Sequence, residues 1–181
     1  MNKAEKLELL NGAIGTYQLC ECCFNYDSNY WRYYILGVSD KLLIGAKEDD
    51  FLLDGFEIRK ISDLKKIEIS DVLGVKMNEE AQILKDLQVP KIDITSWKSA
   101  LQSLKDMNAF ISIENENAED YYLGYVTEIK KSCVLFNHVD ADGVWYENIE
   151  IPYSEITSVS LGNRYSSRWQ QYLSEHNLMP K

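Results

Sequence analysis

Cys133, His138 and the acidic residues Asp140 and Asp142 are the residue types that come closest to a nucleophilic centre. A cysteine activated by a neighbouring histidine is a common arrangement for covalent catalysis. Residues an odd number of positions apart on a strand point to opposite faces, however, and Cys133 and His138 are spaced in this way. The other histidine, His176, falls in the last predicted helix. We therefore expect a buried thiol and a surface imidazole, and the sequence predicts no enzyme.

The Asp-Ala-Asp-Gly run at 140–143 resembles the beginning of a calcium-binding loop. It lacks the third acidic ligand and the bidentate glutamate of such a loop, and the chemistry of a hairpin turn explains it. The remaining cysteines, Cys20, Cys22 and Cys23, share one predicted strand. That spacing suits neither a disulfide framework nor a zinc site. The sequence thus predicts no metal, no cofactor and no catalytic residue.

The candidate binding residues are aromatic and basic. Tyr30, Trp31 and Arg32 belong to the densest aromatic cluster of the chain. Such side chains stack on nucleic-acid bases, and they also dominate the energetics of protein interfaces. Lys130 and Lys131 stand in a predicted turn, where lysines can meet phosphate. These five residues are the candidate contacts for a protein partner or for RNA.

Overall charge bears on the choice between these partners. The chain of 181 residues carries 19 basic and 29 acidic side chains, a net charge of -10, with an acidic excess in both halves. Because Lys and Arg supply most of the affinity for phosphate backbones, this balance favours a protein partner or self-association over RNA. The best basic run, which comprises Arg59, Lys60, Lys65 and Lys66, is interleaved with acidic residues and predicts a solvated face.

Location is predicted from the apolar runs. None of them approaches the roughly 20 residues that a membrane helix needs. The first residues of the chain lack the uninterrupted apolar stretch of a secretory signal. We therefore expect a cytoplasmic protein with no membrane partner.

The elements that must position these residues follow from periodicity and turn signals. Each half reads as a helix, then five short strands, then a return to helix. Asn78 is predicted to cap a helix that ends at Val89-Pro90, and Ser96 is predicted to cap another. With 45% apolar residues the chain can bury a core. The sequence predicts a mainly β protein with flanking helices, of the α+β class.

Two octets point to an internal repeat. Ser62–Ile69 (SDLKKIEI) and Ser154–Leu161 (SEITSVSL) share one order of Ser, acid, aliphatic, two polar, aliphatic, polar and aliphatic residues. Each octet falls in the fifth predicted strand of its half. Upstream, the run Tyr33–Gly37 is matched with Tyr121–Gly124. We infer a tandem duplication.

A helix followed by five short antiparallel strands, with a glycine in the second strand and a tight turn between the fourth and fifth, resembles the Sm-like (LSm) family. SH3-like barrels share much of this pattern. The resemblance covers about residues 13–70 and 107–162. It implies two tandem five-stranded small barrels, each preceded by a helix, in modules 1–90 and 91–181. Barrel closure would remove exposed strand edges.

The family binds RNA in rings, through the loops after the second and fourth strands. Here those loops hold Ser39-Asp40-Lys41 and Lys60-Ile61 in the first half. In the second half they hold Lys130-Lys131-Ser132 and Pro152-Tyr153. The leading expectation is a non-catalytic interaction or assembly protein that binds another protein or itself. The alternative is an RNA-binding protein in which the aromatic cluster stacks on bases and the loop lysines meet phosphate.

Overall fold

The computed structural model describes residues 1–180. The first half contains α1 (Lys3–Ala13), β1 (Leu19–Phe24), β2 (Tyr30–Val38), β3 (Leu42–Asp49), β4 (Leu52–Lys60), β5 (Leu64–Ile69) and α2 (Leu73–Glu80). The second half contains α3 (Trp97–Asp106), β6 (Ile111–Asn115), β7 (Asp120–Ile129), β8 (Cys133–Val139), β9 (Trp145–Pro152), β10 (Ser158–Leu161) and α4 (Arg164–Glu175). Within residues 1–180 no helix is long and apolar enough to cross a membrane.

Side-chain caps mark the first turns of α1 and α3, the two helices that precede the strands of each half. The Asn2 side chain accepts a hydrogen bond from the Glu5 amide at 3.0 Å, and the Glu5 carboxylate accepts one from the Asn2 amide. Ser96 and Ser99 form the same reciprocal capping box at α3. Such caps satisfy backbone donors that the first helical turn leaves free. The apolar face of α3, which comprises Trp97, Ala100, Leu101 and Leu104, is buried.

All ten strands join one antiparallel sheet in the order β5-β1-β2-β3-β4-β10-β6-β7-β8-β9. The prediction of a mainly β protein with flanking helices is confirmed. The prediction of two closed barrels is not confirmed, because the sheet is open and ends at β5 and β9. β4 pairs with β10 of the other half instead of with β5, and Ile58 lies opposite Val159 in this joint.

The strand order repeats between the halves. In each half it runs fifth, first, second, third, fourth. In the two first strands, Cys22 pairs with Ile67 and Ile113 pairs with Val159. Ile67 and Val159 are the sixth residues of the two octets, so each octet pairs with the first strand of its half through its sixth residue.

The upstream match of the repeat is wrong. The β2–β3 ladder slips by one residue after Ile35, and the β7–β8 ladder slips in the same way after Val126. Ile35 therefore corresponds to Val126, which makes Gly37 equivalent to Glu128 and not to Gly124. Short aromatic runs recur too easily in strands to fix a register.

The largest core crosses the joint between the halves. It lies under α3 and is made mainly of second-half residues, but Leu42, Ile44 and Ile58 of the first half complete it. A second core lies between α1 and the first-half strands. The predicted domain boundary between residues 90 and 91 falls between α2 and α3. It stays a prediction, because the large core contains residues from both sides of it.

Candidate functional site

The predicted aromatic contacts lie at the beginning of β2 and already have partners within the chain. The indole Nε1 of Trp31 donates a hydrogen bond to the Asp27 carboxylate at 2.7 Å, and the Lys47 ammonium lies 4.3 Å from the centre of the Trp31 ring. The Tyr30 hydroxyl accepts a hydrogen bond from Lys66 at 3.1 Å. A base that stacked here would first have to displace these cations.

Arg32 is also paired. It lies 3.3 Å from Glu21 and 3.9 Å from Glu48. The predicted loop lysines sit in the other half of the sheet, where Lys130 pairs with Glu150 at 3.0 Å and Lys131 is exposed. No hydrogen bond or ion pair within residues 1–180 joins the aromatic group to the lysine pair, so the five predicted residues do not form one site.

Cys133 and His138 do not form a nucleophile–base pair. The His138 Nδ1 atom accepts a hydrogen bond from the Leu123 amide at 3.0 Å, and the ring stacks on Tyr146. Cys133 lies opposite Pro152, at the other end of the β8–β9 ladder. In the described part of the chain no three His, Cys, Asp or Glu side chains are grouped to hold a metal ion.

The sequence predicts that Arg59 lies on a solvated face, but the residue is only 2% exposed. Its guanidinium forms ion pairs with Glu57 and Glu116 and hydrogen bonds with the hydroxyls of Tyr26 and Tyr33, both at 3.3 Å. Burial alone would lower the pKa of Arg59, but Glu57 and the other neighbours raise it, and the net shift is upward. The result is a buried network of ion pairs and hydrogen bonds around Arg59 at the joint.

A cleft of about 400 Å³ lies beside this network, on the polar face of the joint. Glu114 and Ser112 of β6 and Ser160 of β10 line it. Burial, reinforced by Glu57 and Glu116, raises the pKa of Glu114 to about 7. Polar residues face this side and apolar residues face the other because successive side chains alternate on each strand.

A second cavity, of about 540 Å³, is lined by five lysines, and we call it the lysine cavity. The β2–β3 turn, the residues after β4, the first turns of α1 and α3, and one tyrosine of the second half form its walls. Its lining comprises Lys3, Lys6, Asp40, Lys41, Leu42, Lys60, Ile61, Ser62, Ser96, Trp97, Lys98 and Tyr153. Five of the 19 basic residues thus line it, together with one of the 29 acidic ones.

Backbone contacts hold the walls of the lysine cavity in place. The Lys6 ammonium donates to the Leu64 carbonyl, and the Lys60 ammonium donates to the Ser154 carbonyl at 3.0 Å. The Tyr153 hydroxyl donates to the Lys130 carbonyl, so the predicted lysine turn adjoins the cavity. Within residues 1–180 none of the five lining lysines forms an ion pair. Sequence reasoning missed this cavity because its lysines are isolated along the chain.

An exposed apolar surface, which we call the Phe51 patch, lies between the β3–β4 turn and α2. It comprises Phe51, Leu52, Val72, Leu73 and Met77, all of them exposed. The Phe51 ring lies against the backbone of α2 at Gly74. Exposed acidic residues adjoin the patch residues along the chain, at Asp50, Asp71, Glu79 and Glu80.

The turn that presents Phe51 is strained. Asp50 and Phe51 both have positive φ values, 48° and 67°. A two-residue hairpin turn of this kind favours Asn-Gly, because only residues without a bulky side chain adopt the left-handed region easily. The Phe51 amide donates to the Glu48 carboxylate at 2.8 Å, which helps to hold the turn. A phenylalanine in such a conformation lowers the stability of the fold. Because Phe51 is 50% exposed, it buries little apolar surface in return.

The chain matches no family model, no curated protein and no solved structure.

Proposed function

We propose that the protein is a non-catalytic interaction module built of two Sm-like units, and that it binds another protein through the Phe51 patch. The repeated strand order and the equivalent octets support the two-unit architecture. Each unit has a helix over its sheet, and the β4–β10 joint makes the two units one body. The strained, exposed Phe51 is the observation that carries the functional proposal.

Strain at an exposed aromatic residue is informative because folding does not need it. Glycine at position 51 would relieve the backbone, and the half-exposed ring contributes little to a core. Aromatic side chains are enriched among residues that anchor protein interfaces. The acidic rim of the patch favours a partner that presents apolar side chains flanked by basic ones, since opposite charges attract across an interface.

The terminal strands favour a different protein over a second copy of the chain. Equivalent backbone hydrogen bonds close the turn before β3 and the turn before β8. When the paired residues of the following strands are counted from these turns, Ile58 of β4 and Glu150 of β9 occupy the same position in the two fourth strands. Ile58 is fully buried in the large core, whereas Glu150 is exposed. A copy added to β9 in the manner of the internal joint would bring a carboxylate into an apolar core.

The fifth strands show a similar difference, since the strand at the free edge carries charged residues where the strand at the joint does not. By the octet equivalence, Lys66 and Glu68 on β5 replace Ser158 and Ser160 on β10. The serines are buried at the joint, and the charged pair is exposed and 2.8 Å apart. Charged side chains on edge strands oppose pairing with another sheet.

Phe51→Gly tests the proposed surface. We expect the free energy of unfolding to stay unchanged or to rise by up to about 1 kcal/mol, since the left-handed strain is removed. Affinity for the partner should fall by about tenfold or more, as for an aromatic anchor. Thermal unfolding measures the first effect. Quantitative affinity capture with the wild type and the variant as baits, followed by titration calorimetry with the purified partner, measures the second.

Val144→Ser is the matched control for this experiment. Val144 lies between β8 and β9, in the other half, and is 51% exposed, nearly the same as Phe51. A partner retained by the wild type and by Val144→Ser but lost by Phe51→Gly supports the proposal. A partner retained equally by all three baits contradicts it.

The edge strands give a second prediction. We expect the wild-type chain to sediment as a monomer at micromolar concentration. Replacing three edge residues with their counterparts at the internal joint, by Glu150→Ile, Lys66→Ser and Glu68→Ser, should cause concentration-dependent association, because the edges then match the joint. Sedimentation velocity measures both. A wild type that sediments as a stable oligomer would refute the edge comparison.

A further inference from the structure

We propose that the lysine cavity binds a compact organic polyphosphate, such as a nucleoside diphosphate, with its phosphates against the lysines and its planar ring against the aromatic lining. This site is separate from the Phe51 patch and goes beyond the protein-binding function.

Charge comes first. Lys3, Lys6, Lys41, Lys60 and Lys98 line one cavity without an ion-pair partner in residues 1–180. Lysine side chains that line one cavity without a counter-charge give it a positive potential, which attracts anions. The chain has 29 acidic side chains with which to neutralise them. It places only one, Asp40, in the lining. A ligand with several negative charges supplies the missing neutralisation.

Two helices add to the positive potential. α1 and α3 both begin at the cavity, since Lys3 and Lys6 lie in the first turns of α1 and Ser96 caps α3. The amino-terminal end of a helix carries a partial positive charge, which favours a bound anion. This partial charge adds to the charge of the lysines. It is present even though side-chain caps already bond to amide groups in the first turn of each helix.

The apolar part of the lining indicates a ring. Leu42, Ile61, Trp97 and Tyr153 contribute apolar and aromatic surface. A heterocyclic ligand offers a flat apolar face that packs against such a lining.

Size and surroundings favour a compact ligand over a long strand. A cavity of about 540 Å³ falls within the range of small-molecule sites. Beyond the cavity the protein is acidic, with a net charge of -10 for the whole chain. A nucleic-acid strand that left the cavity would cross a repulsive surface, whereas a nucleoside diphosphate would lie within it.

The test uses the full-length protein and isothermal titration with ADP and with inorganic diphosphate. We expect both to bind, ADP more tightly because its ring adds contacts, and the affinity to fall as salt rises. ADP should also raise the unfolding temperature. Binding should quench the fluorescence of Trp97, and Trp97→Phe should abolish that quenching.

Lys41→Gln/Lys98→Gln is the decisive variant. Both lysines are exposed, and their ammonium groups make no hydrogen bond or ion pair in the described chain, so the fold should tolerate the change. We expect affinity for ADP to fall by about tenfold or more, the loss typical of charge-assisted hydrogen bonds. Lys65→Gln/Lys85→Gln removes the same charge at exposed positions outside the cavity and should leave affinity within twofold, an order-of-magnitude bound for remote surface charges.

Three results would overturn the proposal. The first is the absence of binding by either probe, and the second is an equal loss of affinity in the two double variants, which would show general charge attraction. The third is binding of single-stranded oligouridine that tightens with length while ADP binds weakly, because that pattern indicates a strand-binding surface. Diphosphate that binds as tightly as ADP would disprove the role of the aromatic lining.

Discussion

Arg59→Met is expected to lower the free energy of unfolding by about 3–5 kcal/mol, the loss measured when one member of a buried ion pair is removed. The substitution leaves the Glu57 carboxylate, which is 3% exposed, without its cation. It also removes the guanidinium that stacks over Phe24 at 4.7 Å. Chemical denaturation followed by intrinsic fluorescence measures the change.

Glu57→Ile/Arg59→Ile separates the charge from the packing. Ile149 and Ile151 hold the equivalent places on β9, so the double variant copies the second half into the first. Replacing both members of a buried ion pair with apolar residues is often neutral. We expect most of the lost stability to return, although Glu116, which is 18% exposed, loses its cation in the double variant as well. A single variant that loses less than about 1 kcal/mol, the upper range for a surface ion pair, would contradict the proposed network.

Gly124→Ala is expected to lower the free energy of unfolding by at least about 3 kcal/mol, or to prevent folding, because strain and steric overlap add. Gly124 has a φ of 150°, which other residues rarely adopt. A Cβ atom there would stand 1.9 Å from the Asn137 carbonyl oxygen, on the neighbouring strand. Since the obstacle is backbone, a rotamer change cannot relieve it.

Gly12→Ala is the control for the glycine substitution. Gly12 lies in α1, and a Cβ atom there would meet nothing within 4 Å. Alanine in a helix is more favourable than glycine by up to about 1 kcal/mol, so this variant should be slightly more stable than the wild type. Thermal and chemical unfolding of both variants measure the contrast. Equal stability of the two variants would show that Gly124 tolerates a side chain.

Much of the fold could be predicted from the sequence because its signals are local. Strand and helix order follow from periodicity and turn residues, and Ser96 caps α3 as expected. The octets reveal the repeat because their buried aliphatic residues hold fixed places, as Leu64 and Ile67 do in β5. Asn78 is an exception. It lies inside α2 and donates to the Tyr34 hydroxyl at 2.9 Å, because a buried acceptor competes with the capping role.

The candidate sites could not be predicted because they depend on pairing between distant residues. Arg59 follows the alternation of its strand, but the pattern does not reveal that the joint buries the polar face of β4. The lysine cavity gathers lysines from position 3 to position 98, and each of these lysines alone reads as an ordinary surface residue. The Phe51 patch had one local signal, a hairpin of two left-handed residues without glycine, which is visible only once the strands are paired.

The β4–β10 joint also governs how the protein is made on the ribosome. Val159 is translated about 100 residues after Ile58, its partner in the joint. At roughly 5–20 residues per second the outer edge of β4 waits about 5–20 s for the strand that covers it. During that interval the nascent chain presents an unpaired strand with Phe56 and Ile58 on one side, which is a hydrophobic edge open to pairing with other chains.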